Sequence, residues 1–445
     1  MDGEKSSVSA APRALLSVTD GVLLVVGMVV GAGIFKAPSI VAGNVGSGME
    51  FALVWIAGGI ASLCGALVYT ELSGRFPETG GEYRFLQRAY GPGASFVFAW
   101  SRMTVVQTGA IAAVAFVFGD YAQQILPLGA RGAAIYAALG VLALTVLNLL
   151  GTPQGKGLQK VLSSLLLVAL AAIALAGLTA TPGAAAAAAA RPNAGNLGLA
   201  MIFVLLTYGG WNEAAYIAGE VRDARRNMLR ILVGGILAIT ALYLLVNLAY
   251  YRALGLEGMR NSQAVAADLL RLAAGEAGAI LIALVVCVAA LTTMNAAIIT
   301  GARANYAFGR DFAMLRYLGA WREAGSTPAN ALLVQGALSV LLVLAASFTP
   351  DGFTSMVAYT TPVFWTFFLL CGIALFVFRA RDGRPEGFRV PLFPVVPLVF
   401  CATCGYMLYS SVNYVRFVVS FGNAVLAGIV VMALGVPLYF LARRR

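Results

Sequence analysis

Two charged residues stand where charge is costly. Lys36 follows the run VVGMVVGAGIF, and Glu213 follows LLTYGGWN, both among otherwise apolar residues. An ionisable side chain at membrane depth marks a functional position by default. Glu213 could couple a proton, partner Lys36 or select a cationic substrate. It could equally be a protonated or paired structural group facing another helix. Lys36 could draw in anionic groups, pair with an acid or reach back to the headgroups along its aliphatic stem. Other chemistry has no residues to perform it. The chain contains no histidine, which excludes His-based triads, metal sites and proton relays. Its five cysteines (Cys64, Cys287, Cys371, Cys401 and Cys404) all fall in apolar runs. The CxxC spacing of Cys401 and Cys404 reads as two small apolar residues on one helix face. No nucleophile–base pair, metal cluster or phosphate loop is present, so no enzyme, cofactor or bound metal is expected.

Composition explains why those charges stand out. Of 445 residues, 60% are hydrophobic and only 11% charged, with a mean hydropathy of +0.86. A soluble domain carries about 25% charged residues. This chain cannot hide so much apolar surface in a water-soluble core, and its medium is a lipid bilayer. Basic residues outnumber acidic ones, 30 to 19. They lie in short clusters between apolar segments, a pattern of membrane topology and not of nucleic-acid binding. The polar start MDGEKSSVSAAPR and the length of the first apolar run argue against a cleavable signal peptide.

A spanning helix needs about 20 mostly apolar residues. Runs of that kind predict about twelve spans, at 14–42, 49–72, 93–119, 132–151, 160–179, 197–219, 229–250, 277–303, 330–348, 354–378, 393–412 and 418–441. Between them, 22 basic residues fall on one side and 6 on the other, with Lys36 and Arg102 inside or near spans. The rich side is cytoplasmic by the positive-inside rule, which places both termini there. An integral protein of a plasma membrane or bacterial inner membrane is expected. Residues 81–93 (GEYRFLQRAYGPG) are amphipathic and should lie along the cytoplasmic interface. The low-complexity stretch 179–193 reads as a linker between two bundle halves.

Glycines interrupt the first and sixth spans near their middles, at GAGIF (31–35) and TYGGWNE (207–213). Irregular backbone at membrane depth is tolerated only where it is buried or lines a cavity. Glycines also let helices pack closely, and Gly27, Gly31, Gly58 and Gly59 could serve only that. Interruptions five helices apart, in corresponding positions, fit a transporter with inverted repeats and a binding site between the breaks.

These segments also carry a family resemblance. GMVVGAGIFKAPS in the first span, YTELSGRFPETGGEYRFLQRAYGP (69–92), NLLGTPQGKGLQKVL (148–162), YGGWNEAAYIAGEVRDARRNMLR (208–230) and NAAIITGARANYAFGRD (295–311) occur in order along the chain. Together they resemble the amino acid–polyamine–organocation transporter superfamily. The likeness is greatest to amino acid permeases of the kind that includes the heteromeric L-type transporters and their bacterial relatives. The resemblance implies an all-α fold of about twelve transmembrane helices. Ten form a core of two inverted five-helix repeats of the LeuT type, with two peripheral helices. The core would span 14–378, with repeats at about 14–179 and 197–378. The peripheral helices would occupy 393–441, and the tails 1–13 and 442–445.

The resemblance further implies an alternating-access carrier of amino acids. An amino acid brings a carboxylate and an ammonium to mid-membrane, and each needs partners there. Gly31, Ala32 and Gly33, with Ile34, are expected to hold the carboxylate by backbone N–H groups at a half-helix N-terminus. The carbonyls of Val29, Leu206 and Gly209 are expected to take the ammonium. Leu206 stands where similar transporters carry an aromatic gate residue, a role that Tyr208 or Trp211 could fill. Asn212 could line the side-chain pocket. Lys36, Tyr208, Trp211 and Glu213 are the coupling or gating candidates. In similar sodium-independent members a lysine in the fifth span replaces a sodium ion; here that place falls at Leu166. Sodium coupling through Thr292 and Thr293, proton coupling through Glu213 and uncoupled exchange all stay open. A polyamine or other organic cation is the alternative substrate. Some members pair with a single-span glycoprotein, and whether this chain has such an accessory subunit is left open. Glu71, Glu220, Arg303, Arg310 and Asp311 read as an inner gate or structural ion pairs.

Overall fold

The computed structural model describes residues 17–76, 80–151, 156–180, 195–213, 221, 223–322, 327–417 and 419–443. Secondary structure among them is helical apart from isolated bridge residues: Arg322 paired with Thr327, and Val221. Among the described residues, nine helices are long and apolar enough to cross a membrane. Residues 179–193, Glu220 and the side chains of Lys160, Ser163 and Ser164 lie largely or wholly outside the described residues.

The first expected span is broken as its glycines predict. Helix α1 (Val18–Val29) ends at Val29. A 3-10 turn at Ala32–Phe35 follows, and then α2 (Ala37–Gly43), with Pro38 in its first turn where its missing N–H costs nothing. Helix α3 (Gly48–Arg75) starts at Ser47, whose hydroxyl caps the Glu50 N–H. The amphipathic segment forms α4 (Gly81–Tyr90), bounded by Gly80 and Gly91, both at positive φ.

Next comes one long membrane helix, Pro92–Ile125, made of α5 (Pro92–Ser101), a π-helical turn at Arg102–Val106, and α6 (Gln107–Ile125). Then follow α7 (Gly132–Leu149), α8 (Lys156–Thr179) and the short apolar α9 (Leu197–Thr207). Helix α9 ends in a turn at Tyr208–Gly210 and a 3-10 turn at 211–213, so the sixth expected span is broken too. Gly210 has φ +109°, a conformation that a side chain would strain.

The second half holds α10 (Ala224–Arg260), α11 (Val265–Asp311), α12 (Ala329–Ala346), α13 (Gly352–Asp382), α14 (Val395–Phe417) and α15 (Val419–Arg443). Helices α10 and α11 are each kinked at a glycine of positive φ, Gly255 and Gly275. The stretch 251–276, expected as a connection, is therefore mostly helical, since the two glycines redirect the helices without ending them.

Helix α10 packs along α1, α2 and α3, and α11 packs along α6, α7 and α8. Glycine does the close packing where expected: a Cβ on Gly58 would lie 2.3 Å from Val204 on α9. Both broken segments thus sit within the bundle, walled by α3, α6, α10 and α11.

Candidate functional site

The two interruptions meet. A Cβ on Gly33 would lie 3.5 Å from the Cα of Thr207, and one on Gly31 would lie 3.8 Å from the Thr293 side chain of α11. Gly31 is extended (φ −128°, ψ −161°), which takes the backbone out of the helical path between Val29 and Ala32. The opening N–H groups of the 3-10 turn at 32–35 have no partner within that turn. Val29, Ala32 and Ile34 are buried, whereas Gly31 and Gly33 keep part of their surface open. At the second break, the Leu206 carbonyl accepts the Gly209 N–H at 3.0 Å, and the Leu206 side chain is 38% exposed.

One hydroxyl joins the two breaks. The Tyr243 hydroxyl of α10 lies 3.0 Å from the Val29 carbonyl and 3.1 Å from the Thr207 carbonyl, the last carbonyls of α1 and α9. Tyr243 is fully buried and packs edge-on against Trp55 and Tyr208. No sequence signal pointed to it, because its two partners come from segments far apart in the chain. Tyr208 is buried and donates to the Trp55 carbonyl at 3.1 Å. Trp211 is buried edge-on against Tyr69 and Phe368. A small aromatic-walled cavity beside Gly209 is lined by Ser62, Leu205, Trp211, Trp365 and Phe368.

Lys36 does not reach for headgroups. It is 2% exposed, at the junction between the 3-10 turn and α2. Its ammonium lies 2.7 Å from Asp120 on α6 and 3.5 Å from Asp351, the N-cap residue of α13. The same ammonium donates to the Gln263 side chain at 3.2 Å and the Gln263 carbonyl at 3.4 Å. Of the three roles open for Lys36 in the sequence, pairing with an acid is the one found. The acid is not Glu213.

Glu213 instead accepts from Arg102, whose Nη2 lies 3.1 and 3.3 Å from its two oxygens. Arg102 opens the π-helical turn. Its Nη1 also lies 3.9 Å from Glu82, a buried carboxylate in the first turn of α4. Glu82 accepts from the Asn212 amide at 2.8 Å and from the Tyr69 hydroxyl at 3.3 Å. Asn212, considered for the side-chain pocket, is thus buried and turned toward Glu82. The Glu213 side chain keeps 39% of its surface open.

A further ionic cluster lies at the Arg75 end of α3. Glu71, fully buried, takes both Arg379 Nε and Nη2 at 2.6 Å, the Val390 N–H at 2.9 Å and Arg75 at 3.3 Å. Glu71 is thus ion-paired, as both readings open for it, inner gate or structural ion pair, require. Tyr83 of α4 donates to Asp311 at 3.4 Å, and burial, aided by that carboxylate, pushes its phenol pKa up. The Thr292 and Thr293 hydroxyls each donate to a carbonyl one turn back in α11, at 2.8 and 3.0 Å. Leu166, at the place where the resemblance puts a lysine in sodium-independent members, is a buried leucine.

The sequence as a whole matches the family model described as amino acid permease, over residues 16–437. The chain belongs to the amino acid permease family. Known relatives of this permease include a b(0,+)-type amino acid transporter 1 from Rattus norvegicus, 27% identical over 92% of this chain and 86% of the relative. The serine/threonine exchanger SteT of Bacillus subtilis is 26% identical over 95% of both chains. The large neutral amino acids transporter small subunit 2 of Mus musculus is 29% identical over 94% of this chain and 79% of the relative. The permease is a membrane transporter and not an enzyme, as the absence of catalytic constellations in the sequence led us to expect.

Proposed function

We propose that this permease exchanges amino acids across the membrane by alternating access, with substrate held between the two broken helices. The observation that carries the reading is that the breaks meet, Gly33 against Thr207, in a chain of the amino acid permease family. The chemistry matches an amino acid. The N–H groups of Gly31, Ala32, Gly33 and Ile34 take the carboxylate, where a helical N-terminus favours negative charge. The carbonyls of Val29, Leu206 and Gly209 take the ammonium. Tyr243 sets the distance between the two halves by bonding both. Exchange is favoured over proton-driven symport because Glu213 is paired with Arg102, and the serine/threonine exchanger SteT is among the relatives.

In this reading the chain has twelve spans in the LeuT arrangement, with both termini cytoplasmic in a plasma or bacterial inner membrane. The interrupted segments 18–43 and 197–213 and helix α8 supply the three spans beyond the nine continuous ones. The α2, Asp120 and Asp351 end faces outward, and the Glu71 and α4 end faces the cytoplasm. Counterflow of radiolabelled amino acids into proteoliposomes, with and without sodium and proton gradients, tests the proposal. Accumulation driven by internal amino acid alone is expected. If none of the twenty amino acids is bound or moved, the reading is wrong.

A further inference from the structure

A groove opens on the surface of the bundle behind the second break. It lies between α3, α9 and α14 and encloses about 630 Å³. Small-molecule sites hold roughly 300–1,000 Å³. Leu197 and Met201 of α9 form one wall. Ala61 and Thr403 line both this groove and the cavity beside Gly209, so the two adjoin.

The lining selects its occupant. Most of the wall is apolar, and Leu53, Ile60 and Tyr406 each keep half or more of their surface open. The Thr403 hydroxyl already donates to the Val399 carbonyl at 2.9 Å. An ordered water needs about 2–4 polar partners, which this wall does not offer. A hydrocarbon chain needs none and gains dispersion contacts along it. Length agrees. Ala61 follows Glu50 by 11 residues on α3, a rise of about 16 Å along a helix. One leaflet of the ~30 Å hydrocarbon core is about 15 Å deep. The mouth carries a negative charge: Glu50, exposed in the first turn of α3, is the one carboxylate of the described lining, and no described basic residue lines it. Its Oε2 accepts the Gly46 N–H at 2.8 Å. A carboxylate there repels an anionic headgroup and attracts a cationic one. A primary ammonium donates charge-assisted hydrogen bonds to it, whereas a trimethylated ammonium has none to give.

We infer that the groove binds one acyl chain of a phosphatidylethanolamine from the outer leaflet, with the lipid ammonium on Glu50. In the orientation proposed above, the Glu50 end of α3 faces outward. The bound chain braces α9. That helix has 11 residues, and an isolated helix of such length is marginal, so the groups packed on its sides set its stability. Its last turn ends at Leu206 and Thr207, at the second break. Occupancy of the groove therefore steadies one half of the substrate site. This effect on transport rests on the exchange reading above, while the lipid binding stands apart from it.

Native mass spectrometry of the full chain, with added lipids of identical acyl chains, tests the binding. The first bound phosphatidylethanolamine should bind at least 3-fold tighter than phosphatidylcholine or phosphatidylglycerol. Glu50→Gln should abolish that preference and leave the thermal midpoint in detergent unchanged, because an amide oxygen still accepts the Gly46 N–H. Ala57→Phe puts a ring into the groove that Ala57 lines and should weaken the first bound lipid at least 3-fold whatever its headgroup. Counterflow by the parent should run at least 3-fold faster in vesicles containing phosphatidylethanolamine than in phosphatidylcholine alone. In both variants the two rates should be alike. Equal binding of the three headgroups by the parent overturns the inference. So does a preference that survives Glu50→Gln, or a sterol that displaces phosphatidylethanolamine at equal concentration. Parent counterflow indifferent to headgroup overturns the bracing of α9. A parent that prefers phosphatidylethanolamine yet moves no amino acid would sink the exchange reading and leave the lipid site standing.

Discussion

Replacing Gly31 by alanine separates the fold from the function. The Gly31 backbone is extended, a conformation open to any residue. An added Cβ would lie 3.8 Å from Thr293 Cγ2 and Oγ1 and 3.9 Å from the Val29 carbonyl, all ordinary contacts. Nothing needs to shift to admit it. Restricting the unfolded chain should then stabilise the protein by about 0.4–1 kcal/mol. The cost falls on the site. The methyl group fills the gap between the first break and Thr293, where a carboxylate would approach the N–H groups. Loss of one hydrogen bond to a charged group is worth about 1.5–3 kcal/mol. At 1.4 kcal/mol per factor of ten, that weakens substrate binding about 10- to 150-fold. The assay pairs saturation binding of a transported amino acid with the thermal midpoint in detergent. The midpoint should hold or rise while affinity falls at least 10-fold. Unchanged affinity would refute a carboxylate at this break, and a lowered midpoint would refute the steric argument.

Other substitutions should sort differently. Gly58→Ala drives a Cβ to 2.3 Å from Val204, so it should lower the thermal midpoint by overpacking, about 1–3 kcal/mol, without changing the affinity of the folded fraction. Glu71→Gln leaves the partly buried Arg379 beside a neutral amide and should cost about 1–3 kcal/mol, read as loss of the monodisperse peak on heating. Tyr243→Phe removes the donor to Val29 and Thr207 and should destabilise the substrate-free protein by about 1–3 kcal/mol. Because a substrate ammonium re-satisfies the Val29 carbonyl, the substrate-induced rise in midpoint should be larger in Tyr243→Phe than in the parent. Equal rises would place the ammonium elsewhere.

Much of the architecture was legible from local rules. Hydropathy marks the spans because every backbone group in lipid must be satisfied within its own helix. The glycines at 31, 33, 209 and 210 mark the breaks because regular helix has little use for them there. The alternation of Tyr83, Phe85 and Leu86 with charged residues marks α4. What stayed hidden depends on partners distant in sequence. Arg102 was noticed but not assigned, since its acids are 20 residues before it and 111 after it in the chain. Asp120, in the apolar run FVFGDYA, deserved the same suspicion as Glu213, because both are acids at membrane depth. Asp351 was not singled out in the sequence; it caps a helix, its Oδ1 accepting the Thr354 N–H at 2.7 Å, while Oδ2 faces Lys36. The helicity of 251–276 was masked by Gly255 and Gly275, which in sequence look like terminators and in the structure are bends.

The π-helical turn at 102–106 gives helix 92–125 a phase. A π turn holds one residue more than an α turn, and each residue of an α-helix turns the chain by about 100°. Everything from Gln107 to Ile125 is therefore out of step with Pro92–Ser101 by about one residue's rotation. That offset fixes the angle between the direction in which Arg102 leaves the helix and the direction in which Asp120 leaves it. Removing a single residue from this turn would yield a more regular helix with every ionic group still present. Its two ends could then no longer both face their own partners. The helix works as a two-bitted key, and the irregular turn is the cut that sets one bit against the other.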